Sequence, residues 1–254
     1  MMNPLIGSAR QQAPLVLVHA LAQDGAAWQF VAWPGAITPT LAGHGPRRPV
    51  KRSLQEMADD VAATAPSRFD VVGIAFGGLV AQHLMLRHPD RVRSALLACT
   101  TATVSDREEM RRRAENAREQ GLQAMATSLL ERWFTPAALE RDDPGVRYAR
   151  RRLAELSTEG YASALEAAAE HETTADLEAI RAPVTLVVGL DDHVGRGTVE
   201  AMEERLRCVQ MRAVPGPHML HLERPELLRD EIRHHLEWVA SIEEHGAGQR
   251  KGQG

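Results

Sequence analysis

Short, near-continuous runs of apolar residues alternate along the chain with stretches whose apolar positions recur at helical spacing. The clear runs are Leu15 to His19, Phe69 to Ile74, Val92 to Cys99 and Val184 to Gly189, with a fifth at Val209 to Val214 and a short one at Ala36-Ile37. Runs without polar alternation are what strands buried on both faces require, and their alternation with helices predicts a mostly parallel sheet covered by helices on both sides. Ser53 with Glu56 forms a capping box that starts a helix reaching about Ala65. A second helix follows Phe76 and stops at His88-Pro89, since the residue before a proline leaves the helical region. The last helix runs from Pro225 to about Glu244, and the Gly- and Gln-rich residues 246–254 predict a disordered tail. From Val104 to Ile180 the strand signals vanish and Arg/Glu/Ala-rich patterns predict four or five short helices. Ser105 with Glu108 caps the first, Gly121 ends it, and Pro136 and Pro144 break the rest. The organisation is a core from residues 1–103 and 181–245 with a helical segment, 104–180, inserted between its third and fourth clear strands.

Composition narrows the classes. The 254 residues, 25% charged and 44% hydrophobic, are ordinary globular values that exclude a disordered chain and a polytopic membrane protein. A net charge of -4, with Arg interleaved among Glu and Asp, argues against nucleic-acid binding, which needs a basic face. The two cysteines, Cys99 and Cys208, lie too far apart in sequence to suggest a disulfide framework or a metal cluster. Arg10 followed by the apolar run Leu15 to Leu21 imitates a signal peptide, but His19 interrupts the run and a buried strand uses it better, so a cytoplasmic protein is expected. No P-loop, dinucleotide fingerprint or metal-spaced cluster occurs, so neither cofactor nor metal is expected. The oligomeric state is left open, a homodimer included.

Chemistry is concentrated at strand ends. Gly73-Ile74-Ala75-Phe76-Gly77-Gly78 closes a strand and opens a helix in the pattern of a G-x-S-x-G elbow, a turn so tight that glycines flank the residue it presents. Alanine stands where the nucleophilic serine belongs, and it has no atom able to attack a carbonyl. A glycine-rich turn without chemistry is the alternative. Gly189-Leu190-Asp191-Asp192-His193-Val194 ends the next-but-one run with paired acids, and Pro215-Gly216-Pro217-His218 follows the run after that. The order nucleophile, acid, histidine is that of a serine-hydrolase triad, in which His218 takes the nucleophile's proton and Asp192 fixes its tautomer and stabilises the imidazolium. Taken singly, Asp192 reads as a turn residue and His218 as a solvated loop histidine; their joint occurrence with the elbow favours the site.

From Leu15 to Val239 the chain resembles the α/β-hydrolase superfamily, on Leu15 to Leu21, Trp28, Leu41-Ala42-Gly43-His44-Gly45, the elbow, the acid turn and the histidine loop. The resemblance implies an α/β-hydrolase fold with a helical cap before the acid-bearing strand, and an oxyanion hole from the N–H groups of Leu21 and Phe76. It favours Asp192 over Asp191 as the acid, both remaining candidates. Glu131-Arg132-Trp133-Phe134-Thr135-Pro136 is similar to the cap of 3-oxoadipate enol-lactonases and related small-ester hydrolases. That likeness makes Trp133, Phe134 and Arg132 candidates for the substrate pocket, Arg132 for a substrate carboxylate; a surface arginine beside a core tryptophan is the alternative.

The chain departs from the family pattern in three places. Eighteen residues precede His19, which shortens or removes the opening antiparallel hairpin and leaves six or seven strands; Ala20 replaces a glycine beside the oxyanion loop; and Ala75 replaces the serine. The expected function is hydrolysis of a small carboxylic ester or lactone through an acyl-enzyme by a form with serine at position 75, the present chain being a Ser-to-Ala inactivated one. The alternatives are a native Ala75 protein using a His218/Asp192 dyad, of lyase or cofactor-free oxygenase type, or a non-catalytic ligand-binding member of the fold.

Overall fold

In the computed structural model the described residues are 13–45, 50–194 and 199–251. Five strands, β1 (Leu15–Val18), β2 (Phe69–Ile74), β3 (Val92–Ala98), β4 (Val184–Gly189) and β5 (Val209–Val214), form one parallel sheet in chain order. Ile37 extends it beyond β1 by a single parallel bridge to Val16, its N–H and C=O exchanging 2.8 Å bonds with Leu15 and Leu17. Among the described residues the sheet thus has five strands and one flanking bridge, where six or seven strands were expected. The run Ala36-Ile37 is too short, and too soon followed by Pro39, to build more than that bridge.

Successive strand residues alternate between two apolar clusters. Leu15, Leu17, Val72, Ile74, Leu96 and Val187 face one side, while Val16, Val18, Val71, Leu97, Val184 and Leu186 face the other. This is the structural reason for the unbroken Val/Leu runs, since each side of the pleat needs its own apolar cover, each buried Val or Leu contributing about 1.5–3 kcal/mol. The second side is covered by α1 (Leu54–Thr64) and α2 (Phe76–Arg87). The capping box of α1 is closed in both directions, Glu56 N–H to Ser53 Oγ and Ser53 N–H to the Glu56 carboxylate.

Between β3 and β4 lie α3 (Arg107–Gln120), α4 (Leu122–Trp133), α5 (Pro136–Glu140), α6 (Pro144–Glu155), α7 (Thr158–Ala169) and a 3-10 turn, Thr174–Ala179. Pro136 and Pro144 open α5 and α6 at first-turn positions, where a missing N–H is harmless, so they delimit helices rather than break them. The cap of α3 is Asp106, which accepts from Glu109 N–H at 2.8 Å, and not the expected Ser105. Serine and aspartate compete one residue apart, and the carboxylate accepts the more strongly at a helix N-terminus. The two ends of this segment meet at an antiparallel bridge between Thr103 and Glu172, beside a 2.9 Å bond from Thr173 N–H to Ala102 C=O.

After β4 come α8 (Val199–Arg205), β5, the single turn α9 (Leu220–Glu223) and α10 (Pro225–Lys251). Helix α10 runs past the expected end near Glu244 and occupies most of what was expected to be a disordered tail; residues 252–254 lie outside the described residues. Extending an established helix adds one bond per residue fixed, and Ala247, Gln249, Arg250 and Lys251 are good formers that offset Gly246 and Gly248.

Candidate active site

The elbow is where packing forces the backbone. A Cβ on Gly73 would stand 2.5 Å from Gly77 O, one on Gly77 would land on the Val18 carbonyl oxygen, and one on Gly78 would meet the Thr100 side chain at 2.6 Å. Between them Ala75 holds φ 49° and ψ −117°, a region that L-residues rarely adopt. The conformation is held by Ala75 N–H to Ala98 C=O at 2.9 Å and by the Thr100 hydroxyl donating to Ala75 C=O at 2.8 Å.

The loop that carries Leu21 leaves β1 through His19. The His19 ring accepts Leu41 N–H at Nε2, 3.0 Å, and its Nδ1 donates to Ala20 C=O at 2.8 Å, so both nitrogens are committed to the neutral ring. Burial first, then the nearby His44, pushes its pKa well below the ordinary value. Ala20 beside it is fully buried, and Ala22 turns the chain with φ 61°. The N–H groups of Leu21 and Phe76 have no acceptor among the described residues, and both residues line the cavity described below.

Asp192 N–H closes the turn after β4 on Gly189 C=O at 3.1 Å; its Oδ1 accepts Val194 N–H at 2.8 Å and its Oδ2 lies 3.1 Å from His218 Nδ1. A carboxylate only accepts, so Nδ1 carries the proton that faces it, and in the neutral ring Nε2 has the lone pair. Asp192 is 2% exposed and His218 8%, whereas Asp191 is exposed and touches Gly216 C=O only through its own N–H, 3.0 Å.

A cavity of about 320 Å³ joins these parts. Leu21, Ala75, Phe76 and His218 line it from the core, and Met110, Arg113, Arg132, Trp133 and Leu165 line it from the helical segment. Of the three pocket candidates, Trp133 is buried and lines it, and Arg132 lines it from an exposed position. Phe134 does not line it; leaving α4, its ring turns into the core cluster instead.

Other residues of the site carried no motif. Cys99, at the end of β3, lines the cavity with Sγ 3.9 Å from Pro217 C=O. Burial and the neighbouring Asp192 push its thiol up, so it stays protonated. Its place at a strand's carboxyl end, level with the elbow and acid turns, is the signal that would have found it. The buried Gln23 and His221 meet at 2.6 Å between Oε1 and Nε2, tying the loop after β1 to the segment that follows His218; burial and nearby His218 hold His221 down at about 3.

A strained strand-to-helix elbow and a histidine after β5 that open on one cavity, with an acid after β4 held against the histidine, define an α/β hydrolase. The chain belongs to the alpha/beta hydrolase family, whose model matches residues 15–231. It is 32% identical over 161 residues to a 3-oxoadipate enol-lactonase 2 of Acinetobacter baylyi, an alignment covering 63% of this chain and 60% of that enzyme's length. It is 30% identical to a pimeloyl-[acyl-carrier protein] methyl ester esterase of Aeromonas hydrophila, over 77% of this chain and 84% of the relative. In structure it is similar to a malate-bound thermophilic esterase from Thermogutta terrifontis, with a TM-score of 0.81, 25% identity, and 90% and 91% of the two chains covered. Among the described residues no helix is long and apolar enough to cross a membrane.

Proposed function

We propose that this is the binding and reaction site of a small-ester or lactone hydrolase from which only the nucleophile is missing. The observation that carries the reading is the buried His218 Nδ1 to Asp192 contact of 3.1 Å, His218 sharing a cavity wall with the elbow. With serine at position 75, its Oγ attacks the carbonyl while His218 Nε2 takes its proton and Asp192 stabilises the imidazolium. The N–H groups of Leu21 and Phe76 receive the oxyanion, each such donor being worth about 10²–10³ in rate. The leaving alcohol takes the proton back from His218, and water then releases the acyl group by the same steps. With a methyl group at position 75 no acyl-enzyme forms, so the present chain binds ester or lactone without turning it over by this route. The residues 104–180 act as a cap, with Trp133 and Arg132 as substrate contacts. The relatives' names support ester or lactone chemistry, which needs neither metal nor cofactor.

The test is Ala75→Ser assayed on a panel of small esters and lactones. A pre-steady-state burst with the serine form and none with alanine is the expected result. A second reading rests on His218 Nε2, which has no partner among the described residues and lines the cavity: the dyad acts as a general base by itself. Conversion of a compound by the alanine form, with the serine form inactive on every ester, replaces the first reading by the second.

A further inference from the structure

The loop from Ala20 to Gln23 has little backbone support. Among the described residues none of its N–H groups bonds to a backbone carbonyl, and Ala22 bends it at φ 61°. Side chains fix it instead. At the β1 end His19 bonds to Leu41 N–H and Ala20 C=O, and at the far end Asp24 accepts the Tyr148 hydroxyl at 2.8 Å, with Arg152 Nε 3.1 Å from its other oxygen. Between these anchors sits Gln23, fully buried.

Gln23 reaches across to the segment that holds the histidine. Its Oε1 lies 2.6 Å from His221 Nε2, and its Nε2 donates to Met219 Sδ at 3.0 Å. Among the described residues these are the hydrogen bonds that join residues 19–24 to 217–224, across 198 and 196 positions of chain. Met219 sets which way the amide faces, because its thioether only accepts and so takes the NH2 end. His221 therefore carries its proton on Nε2, and its Nδ1, which has no partner among the described residues, holds the lone pair.

The two segments joined in this way carry the two groups that must act at one carbonyl. Leu21 stands two residues before Gln23, and Met219 directly follows His218; Leu21, His218 and Met219 line the cavity, while Gln23 does not. A preorganised group has to stand within about 0.5 Å of its productive place, and a misplacement of about 1 Å costs about a hundredfold in rate.

We infer that Gln23 is a positioning residue, its side-chain amide holding the N–H of Leu21 and the ring of His218 in fixed relation so that an ester carbonyl meets donor and base together. The inference rests on the hydrolase reading, and Gln23 itself touches no reacting atom. A packing role alone would lower the amount of folded protein and leave each folded molecule as fast.

The test is Gln23→Leu in the Ala75→Ser form, assayed on p-nitrophenyl acetate with rates divided by the folded fraction from near-ultraviolet circular dichroism. Leucine fills a similar space and removes both bonds. The expected result is a kcat about tenfold to a hundredfold lower with KM within about twofold, since the oxyanion exists only in the transition state. Unchanged kcat and KM overturn the inference and leave the hydrolase standing, as does a loss that vanishes once the folded fraction is allowed for. If Gln23→Leu does not fold, Gln23→Met, of equal length and without the amide, is read in the same way. Nuclear magnetic resonance of the present chain, labelled with 15N, gives a measure that needs no turnover. His221 is expected as the Nε2–H tautomer, and the Gln23 substitution is expected to release that tautomer and to shift the Leu21 amide and His218 ring signals together. Leu21 and His218 signals that stay in place overturn the inference whatever the rates. An Ala75→Ser form inactive on every ester, with both signals moving in the present chain, ends the hydrolase reading and supports the coupling of the two segments through Gln23.

Discussion

Glu223 accepts both the backbone N–H and the hydroxyl of Thr135, at 3.0 and 2.7 Å. Thr135 caps α5 in the helical segment, and Glu223 ends the turn that follows His218, so a single carboxylate joins the segment to the histidine loop. Met219 N–H adds a 3.1 Å bond to Trp133 C=O alongside it. The cavity lies between the two elements these contacts hold, which makes its shape depend on them.

Replacing Glu223 by alanine leaves two partly buried donors without their charged acceptor. The expected loss is about 1.5–3 kcal/mol of stability, together with weaker ligand binding. Urea denaturation and calorimetry measure the two effects; a change within about 0.5 kcal/mol would show that water replaces the carboxylate freely.

Trp133 is at once a cavity wall and part of the main apolar cluster. A purely pocket role would leave the melting temperature alone, but burial rules that out. Trp133→Ala should cost about 3–5 kcal/mol and weaken binding as well. Thermal melts with and without ligand check both, and an unchanged melting temperature would contradict the packing described here.

At the elbow, φ 49° at Ala75 stores strain that glycine does not feel. Relief of about 1–3 kcal/mol, less about 0.5–1 kcal/mol for the looser unfolded chain, makes Ala75→Gly stabilising by roughly 1 kcal/mol. Gly77→Ala should do the opposite, by more than about 3 kcal/mol, because its Cβ lands on the Val18 carbonyl of the neighbouring strand. Denaturant midpoints decide, and a destabilised Ala75→Gly would mean that the turn carries no strain.

Several buried histidines make the fold sensitive to acid. Burial, aided by the Arg93 charge, holds His235 at about 3; burial, with His83 nearby, holds His171 at about 4; and His44 and His221 stand at about 4 and 3, chiefly through burial. Unfolded, each titrates near 6.5, so between about pH 6.5 and 4 the unfolded chain binds more protons than the folded one. Stability is then full above about pH 6.5 and falls as pH drops, by about 1.4 kcal/mol per unit for each such histidine. The ion-paired Asp59 and Glu159, held at about 2 by Arg87 and Arg118, add a further loss only below about pH 4.5. Melting temperatures from pH 8 to 4 should be flat and then fall steeply below 6, and a flat profile down to pH 5 contradicts the neutral burial.

For His235 the hydrogen-bond chain shows why protonation is costly. Ser94 donates to Asp70, so it accepts from His235 Nε2 at 2.9 Å, and Nδ1 is left to accept the Thr185 hydroxyl at 2.7 Å. Thr185 in turn accepts from Gln210 Nε2 at 2.9 Å, and Arg93 closes the other end on Asp70 through two bonds of 2.8 and 2.6 Å. A proton added at Nδ1 would face a donor.

What the sequence determined by itself is whatever consecutive residues encode. The strands were legible because a sheet buried on both faces demands unbroken apolar runs; the elbow was, because its glycines are dictated by backbone contacts within a few residues; and the acid and histidine loops were, because each follows a strand end. Tertiary structure decided everything that depends on residues distant in sequence. The resemblance favoured Asp192 over Asp191, but that Asp192 is the one meeting His218, 26 positions on, is a contact of the folded chain, as is the pairing of Glu223 with Thr135 across 88. The same holds for the pocket candidates: a local pattern cannot say that Trp133 lines the cavity, that Phe134 packs into the core, or that Arg113, with no motif around it, also lines the cavity and bonds to Tyr161 and Met110. A local pattern constrains which face of an element is apolar, but which element lies across from it, and so which charge meets a partner, is set by packing energies shared over the whole chain.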